Sequence, residues 1–465
     1  SADVRRHEAG PAGNPPFPMD IRFMDTDFAK ARYLGEFDLF TLEANVGSVS
    51  VAHAMNNFDL RPAPASPMMW RETFADADTT TGDVSASFNQ WGGRLELGLD
   101  AYRAEHSATI TNPNNSNFFV AAIPDAEVER FGMFAEWQGA VGSLNSELGL
   151  RVDRHTSDVG EASVGSALPP APGMLAMAYN GVDRSFQDTG VDAVARFFTD
   201  ERDGFVWRFT LAHKTHAPTY LQRYGWMPIP ASGGLADGNT YVGNLDLELE
   251  RALIAEVGFD YFGDRFYARP TVYTRQVSDF VQGGPFDSTP GVIDTPQEMI
   301  SNMNGDPTPL RWANVDAEFY GLDVDFGYDF EGPLRFDGVL NYVRGKRGDV
   351  DDNLYRIAPP NLTGALTWQK DMWSASMEVR SVAEQDEVSA TNSEQPTPGY
   401  VTLGLFADWH MTQSVHVSVG VENLFDHVYR DHLSGYNRNS GSDVAVGTRL
   451  PGAGRSAFVR IGIVG

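Results

Sequence analysis

Residues 316–330 read DAEFYGLDVDFGYDF. Tyr320, Leu322, Val324, Phe326, Tyr328 and Phe330 occupy one set of alternate positions, and Gly321, Asp323, Asp325, Gly327 and Asp329 the other. A period of two marks a strand with one apolar and one polar face. The pattern recurs in 253–261 (LIAEVGFDY), 401–410 (VTLGLFADWH) and 416–422 (HVSVGVE). In 456–464, Ala457, Val459, Ile461 and Ile463 alternate with Ser456, Arg460 and Gly462. About 17 such runs lie between residues 27 and 464. Many reach 10–15 residues. Soluble strands average roughly 5–6 residues, whereas a tilted strand needs about 9–11 to cross a bilayer.

The connections separate a barrel from a sandwich. Short links such as EFD (36–38), GD (263–264), KD (370–371) and MTQ (411–413) alternate with long ones near 56–80, 107–126, 156–186, 217–246, 280–313, 346–359, 385–398 and 424–454. Short turns at one end and long loops at the other organise an outer-membrane barrel. The polar faces are rich in Gly, Asp, Glu and Asn, which suits a wet lumen. Tyr261, Phe262, Tyr328, Phe330 and Trp409 sit near strand ends, as interfacial aromatics do. The expected fold is all-β, a transmembrane antiparallel β-barrel with short periplasmic turns and long extracellular loops.

The first recognised run leads into the short turn at 36–38, so it descends from the long-loop side. Residues 1–26 are therefore read as an extracellular loop segment and residues 27–465 as barrel. Bacterial barrels have an even number of strands. An odd count that starts outside predicts missing leading strands, or another chain completing the wall. One uncounted strand would remove that argument. No secretory signal is visible, so the chain is read as a mature or truncated piece.

Composition narrows the partners. Lys and Arg total 35 against 63 Asp and Glu, a net charge of −28. Phosphate backbones need a basic face, so nucleic acid is excluded as a partner. Cations are favoured. There is no cysteine, which rules out disulfides, thiolate metal sites and thiol catalysis. No apolar run reaches the length of a membrane helix. Neither a phosphate loop nor a Gly-x-Ser-x-Gly or His-Glu-x-x-His motif is present, and no enzyme activity is expected.

Several stretches resemble TonB-dependent outer-membrane receptors. GVENLFDHVYRDH (420–432) is similar to the family's penultimate-strand signature. NVDAEFYGLDVDF (314–326) resembles its mid-barrel pattern, and YVGNLDLELERA (241–252) its loop-to-strand motif. YLQRYGWMPIPASGGLADGNTYVGN (220–244), SGYNRNSGSDVAVGTRLPGAGRS (434–456) and HAMNNF (53–58) further resemble the copper-receptor branch. The resemblance implies a barrel of about 22 strands around an N-terminal plug, with about 17 of them in this chain. It also implies an outer-membrane location, contact with lipid and lipopolysaccharide, and TonB acting through the plug. Nothing in the chain resembles that plug. The chain also ends Ile461-Gly462-Ile463-Val464-Gly465, without the terminal aromatic usual in the family.

The candidate chemistry centres on VAHAMNNFDL (51–60). His53 and Met55 are two apart on a strand and face the same way. Alternation places them with Glu43, Asn45 and Gly47, read as the lumen face, with Val49 and Val51 leaving room for a bulge. An imidazole and a thioether suit copper, Cu(I) above all; they also serve simply as wall packing. The resemblance implies that His-x-Met supplies two copper ligands, the others coming from a Cys and a Met of the plug. Met68, Met69, Met174, Met177, Met227, Met299 and Met303 fall in long loops and are read as a relay for the ion or as loop packing. His427 and His432 are read as loop hydrogen-bonders. His213 and His216 face opposite ways, and His410 and His416 flank a short turn. The expected function is copper uptake, with copper as cargo and no other cofactor. The alternatives are a receptor for a metal chelate or other cargo, a structural barrel within a multi-chain assembly, and a plugless pore.

Overall fold

A computed structural model describes residues 1–230 and 235–463. Positions 231–234, inside the 220–244 stretch, and Val464 and Gly465 lie outside the described residues. The strands are β1 (Ala2–Ala9), β2 (Asp20–Glu36), β3 (Thr41–Asn56), β4 (Glu72–Gln90), β5 (Gly93–Thr111), β6 (Phe119–Val141), β7 (Leu144–Val159), β8 (Phe186–Thr199) and β9 (Phe205–His216). After the two-residue β10 (Tyr241–Val242) come β11 (Glu250–Phe262), β12 (Phe266–Pro285), β13 (Leu310–Asp329), β14 (Leu334–Arg347), β15 (Asn361–Lys370), β16 (Trp373–Val382), β17 (Tyr400–His410), β18 (Val415–Glu422) and β19 (Ser456–Ile463). Three helices, α1 (Pro170–Asn180), α2 (Tyr220–Tyr224) and α3 (Pro296–Met303), and a 3₁₀ turn at Pro67–Met69 lie in the long connections. Among the described residues, no helix is long and apolar enough to cross a membrane.

Each wall strand pairs antiparallel with the next, β9 pairing directly with β11. β10 stands off the wall and pairs parallel with the start of β13. Of the nineteen strands among the described residues, eighteen therefore build the wall.

Two expectations need correction. The segment 1–26 is not an extracellular loop: Ala2–Ala9 pairs with Met24–Ala31, and β2 begins at Asp20. The first strand thus rises from the short-turn side, the described wall count is even, and the parity argument falls. β1 escaped notice because ADVRRHEA has no apolar alternation; it is exposed along nearly its whole length. Several strands also run past their expected limits. β4 starts at Glu72 and β6 spans 23 residues. Above the bilayer both faces meet water, so backbone pairing continues where alternation is no longer required.

The registers assign the two faces. Val84, Leu99, Met133, Val152 and Val191 form one row across β4 to β8, and the adjacent row reads Asp83, Asp100, Gly132, Asp153 and Gly190. The apolar face stays exposed, with Leu99 at 45% and Met133 at 51%. Such a continuous apolar belt is stable against lipid, not water. The other face holds a charged lattice in which Arg130 and Arg151 both reach Asp100 and Arg151 also grips Asp153. It is the lumen. At the short-turn rim of the outer face Trp373 stacks on Trp409, ring centres 4.8 Å apart, a girdle position.

The long connections fold over the open end as interlocked loops. Arg449 donates to the Ser434 carbonyl and the Tyr436 hydroxyl, and Arg356 to the Leu433 carbonyl. Asp352 accepts from Ala390 and Thr391. A separate apolar cluster of Val120, Leu175, Trp226, Met227 and Ile300 joins β6, α1, α3 and the segment after α2. This cluster positions one side of the candidate site.

Candidate metal-binding cavity

β3 pairs with β4 without a break from Thr41 to Asn56, so alternation runs unbroken from Glu43 to Met55. No bulge intervenes on this strand; the irregularity lies in β2, between Ile21 and Phe23. The lower part of the face is fixed by Asn45, which donates to Glu43 at 3.1 Å and to Asp83 at 2.9 Å. His53 and Met55 continue it upward. Their cross-strand neighbours are Met24 and Ala75 for His53, and Ile21 and Thr73 for Met55.

Both side chains line a cavity of about 710 Å³ at the extracellular end of the lumen. Of the seven loop methionines, Met68, Met69, Met227 and Met303 line the same cavity. Met174 and Met177 do not: they sit on α1 and point outward, 56% and 72% exposed. Two further soft or borderline donors stand outside those loop methionines: Met19 and His106. His106 was findable, because counting register across β4 and β5 sets it opposite Ala77, two positions along β4 from Ala75, His53's partner. Met19 and Met303 reach the cavity through loop folding, which carries no periodic signal.

Each donor is held by local structure. The 3₁₀ turn carries Met68 and Met69 into place. Its carbonyls are tied down by Asn112, which donates to Pro67 and Met68 oxygens at 3.1 and 3.0 Å, and by Asn57, which donates to Met69 at 3.2 Å. The Met19 sulfur accepts from Oγ1 of Thr73, Met55's strand partner, at 3.3 Å. The His106 ring stacks on Tyr220, centres 4.4 Å apart. Tyr220 opens α2, whose N-terminus is closed by a capping box between Thr219 and Gln222. Met227 is buried in the apolar cluster beside Trp226.

The walls are otherwise largely apolar, with one charge of each sign in Asp76 and Arg71. Arg71 lies 3.9 Å over the Phe118 ring and donates to the Met68 and Trp70 carbonyls; burial pushes its pKa down. Thioethers and imidazoles in an apolar enclosure are a donor set for a soft cation.

The remaining sequence candidates fall elsewhere. His432 is buried, with Nδ1 2.9 Å from Thr397 Oγ1 and Nε2 3.0 Å from Glu394 Oε1, a loop-bonding role. His213 faces outward and its Nδ1 meets the Val191 carbonyl at 2.8 Å. Among the described residues one carboxylate group, Asp287, Asp294 and Glu298, has ligand-like spacing. Glu298 there closes the capping box of α3.

Comparison with known proteins places this geometry. Residues 7–424 match the family described as TonB dependent receptor-like, beta-barrel. The chain is 23% identical over 272 residues to the Ferrienterobactin receptor of Escherichia coli (strain K12), a match covering 55% of this chain and 34% of that protein. It is 23% identical over 199 residues to the Ferric enterobactin receptor of Pseudomonas aeruginosa, covering 40% and 25%. The matches thus span about a third or less of these curated relatives. Among solved structures it superposes on the copper transporter OprC with a TM-score of 0.81 at 22% identity, covering 99% of this chain and 68% of that one. It superposes on the FrpB iron transporter from Neisseria meningitidis with a TM-score of 0.65 at 13% identity, covering 95% and 63%.

Proposed function

The chain belongs to the TonB-dependent receptor-like β-barrel family, outer-membrane transporters rather than enzymes, and on that premise we propose that it is the barrel of a receptor for ionic copper. The supporting observation is the cavity, where His53, Met55, Met19, Met68, Met69, Met227, Met303 and His106 share one enclosure. Soft thioethers select Cu(I), and imidazole tolerates either oxidation state. Loop methionines collect the ion, and His53 and Met55 help hold it at the top of the lumen. Release inward then requires work, because a tightly held ion does not leave by itself. TonB acting through a plug is the proposed source of that work, and outer-membrane lipid and lipopolysaccharide are the proposed surroundings.

The test is a Cu(I) titration against a chromophoric competitor. His53→Ala and Met55→Ala should each weaken binding at least tenfold. Unchanged affinity in both variants would sink the copper reading. A second reading, a metal chelate as cargo, draws on the cavity's size, far larger than one ion, and on Arg71 within it, a cation suited to an anionic chelator. In that case a ferric catecholate would bind and Arg71→Ala would weaken it, with Cu(I) affinity unaffected by His53→Ala.

A further inference from the structure

The short turn between β17 and β18 carries two histidines that the cavity does not use. His410 and His416 are direct cross-strand partners. Their neighbours Trp409 and Val417 form the adjacent pair on the lipid face, so the histidine pair belongs to the inner face. The turn is short, which puts the pair at the periplasmic mouth of the lumen. The Cε1–Nε2 edge of His416 lies over Gly462 of β19, on the side of β18 away from His410, where any Cβ would collide with it. Among the described residues, neither ring makes a hydrogen bond; the two ring centres lie 6.2 Å apart, tilted by 37°.

We propose that His410 and His416 form a second metal site, an imidazole pair at the periplasmic mouth that binds a divalent transition-metal cation such as Cu(II), Ni(II) or Zn(II). The spacing is close to that of a shared ion. With a metal–nitrogen bond of about 2.1 Å and about 1.1 Å from nitrogen to ring centre, two imidazoles on one ion have centres about 6.4 Å apart when their nitrogens lie trans and about 5.2 Å apart at a tetrahedral angle, so the rings close by up to about 1 Å on binding. Binding swings the His416 ring off Gly462 and toward His410, and no hydrogen bond among the described residues resists that movement. The remaining positions are open to water. Asp408 lies two residues before His410 on the same face, opposite Ser418, and brings a carboxylate near the ion; Arg460 of β19 opposes Ser418 in the same row. Two imidazoles head this site, with Met411 of the turn exposed to solvent, whereas thioethers outnumber imidazoles in the upper cavity; imidazole favours borderline divalent ions, where methionine favours Cu(I). The site lies where any cargo leaving the lumen must pass, and it stands whether that cargo is ionic copper or a chelate.

The experiment uses the whole chain purified in detergent, with copper(II) chloride as the probe and electron paramagnetic resonance as the readout. A Cu(II) signal with nitrogen hyperfine structure is expected from this site, over and above any signal of the upper cavity's imidazoles, which His53→Ala/His106→Ala removes. His410→Asn and His416→Asn should each weaken it at least tenfold, and nickel(II) or zinc(II) should compete. His53→Ala should leave it unchanged. The same signal in the His410→Asn/His416→Asn double variant, or its loss with His53→Ala alone, overturns the proposal. Wild-type protein gives an independent check: Cu(II) should protect His410 and His416 from diethyl pyrocarbonate, and equal labelling with and without Cu(II) also overturns it. Loss of Cu(I) binding at His53 would count against the upper cavity alone, so the two readings fail separately.

Discussion

Asp20 and Arg61 show how single residues hold the upper cavity together. The Asp20 side chain is 3% exposed and that of Arg61 6%. Arg61 donates to both carboxylate oxygens, at 2.6 and 2.8 Å, and to the carbonyls of Phe17 and Asn14. These bonds clamp the 10–19 connection that ends in Met19. Removing one partner of a buried pair leaves an uncompensated charge and costs about 3–5 kcal/mol. Arg61→Ala should therefore lower the thermal midpoint in detergent and weaken Cu(I) binding through loss of Met19, whereas Met19→Ala should weaken binding alone. Asp352 ties two outer loops. Burial alone would raise its pKa, but hydrogen bonds from Thr391, Ala390 and Asn353 outweigh it and hold the carboxyl below its usual value. A folded pKa below the unfolded one gives stability that is present above the unfolded value, about 3.9, and is lost as pH falls through the folded value. Amide exchange at Ala390 and Thr391 should stay slow down to about pH 4 and accelerate below it. In Asp352→Asn these amides should exchange fast already at pH 7, with no further acid step. Equal exchange in both proteins would count against the link. At this scale the sequence was only partly readable. His53 and Met55 shared a face by parity, but the Asp20–Arg61 clamp spans 41 positions and leaves no local trace.

At the scale of the strand, the alternation that betrays a barrel is a property of its lipid belt and fades where the belt ends. This is why β11, β13 and β17 were legible while β1 and the upper part of β6 were not. The lumen faces follow another rule. Their glycines are not merely small: large rings from the neighbouring strand lie over them, as Phe134 lies over Gly98 and Tyr273 over Gly321. A Cβ at Gly321 would meet the Tyr273 ring and the Tyr342 carbonyl of the next strand. Overpacking of this kind typically costs about 1–3 kcal/mol. Gly321→Ala should reduce stability in urea by that order, and Tyr273→Ala placed in the same chain should restore part of the loss. A purely additive double variant would show that ring and glycine do not interact. Gly and Asp on the inner face were read from sequence as solvated lining; the rings they accommodate could not be, because the pairing register decides which ring meets which glycine.

The whole molecule adds an electrostatic argument that no single residue carries. With 63 acidic against 35 basic side chains, the receptor's field attracts cations toward its loops and repels anions. The two cargo readings therefore differ in the sign of their salt dependence. Screening shortens the reach of that field from about 30 Å at 0.01 M salt to about 8 Å at 0.15 M. If the cargo is a bare copper cation, its association rate should fall as salt rises over this range, while dissociation, set by thioethers and imidazoles inside an apolar enclosure, should change little. An anionic ferric chelate must enter against the same field, so its association rate should rise with salt. Stopped-flow measurement of both ligands on the same preparation, at those two salt concentrations, separates the cases. A copper association rate that increases with salt would rule out electrostatic capture of the free ion and favour a chelated cargo, for which Arg71 rather than His53 would be the anchoring residue.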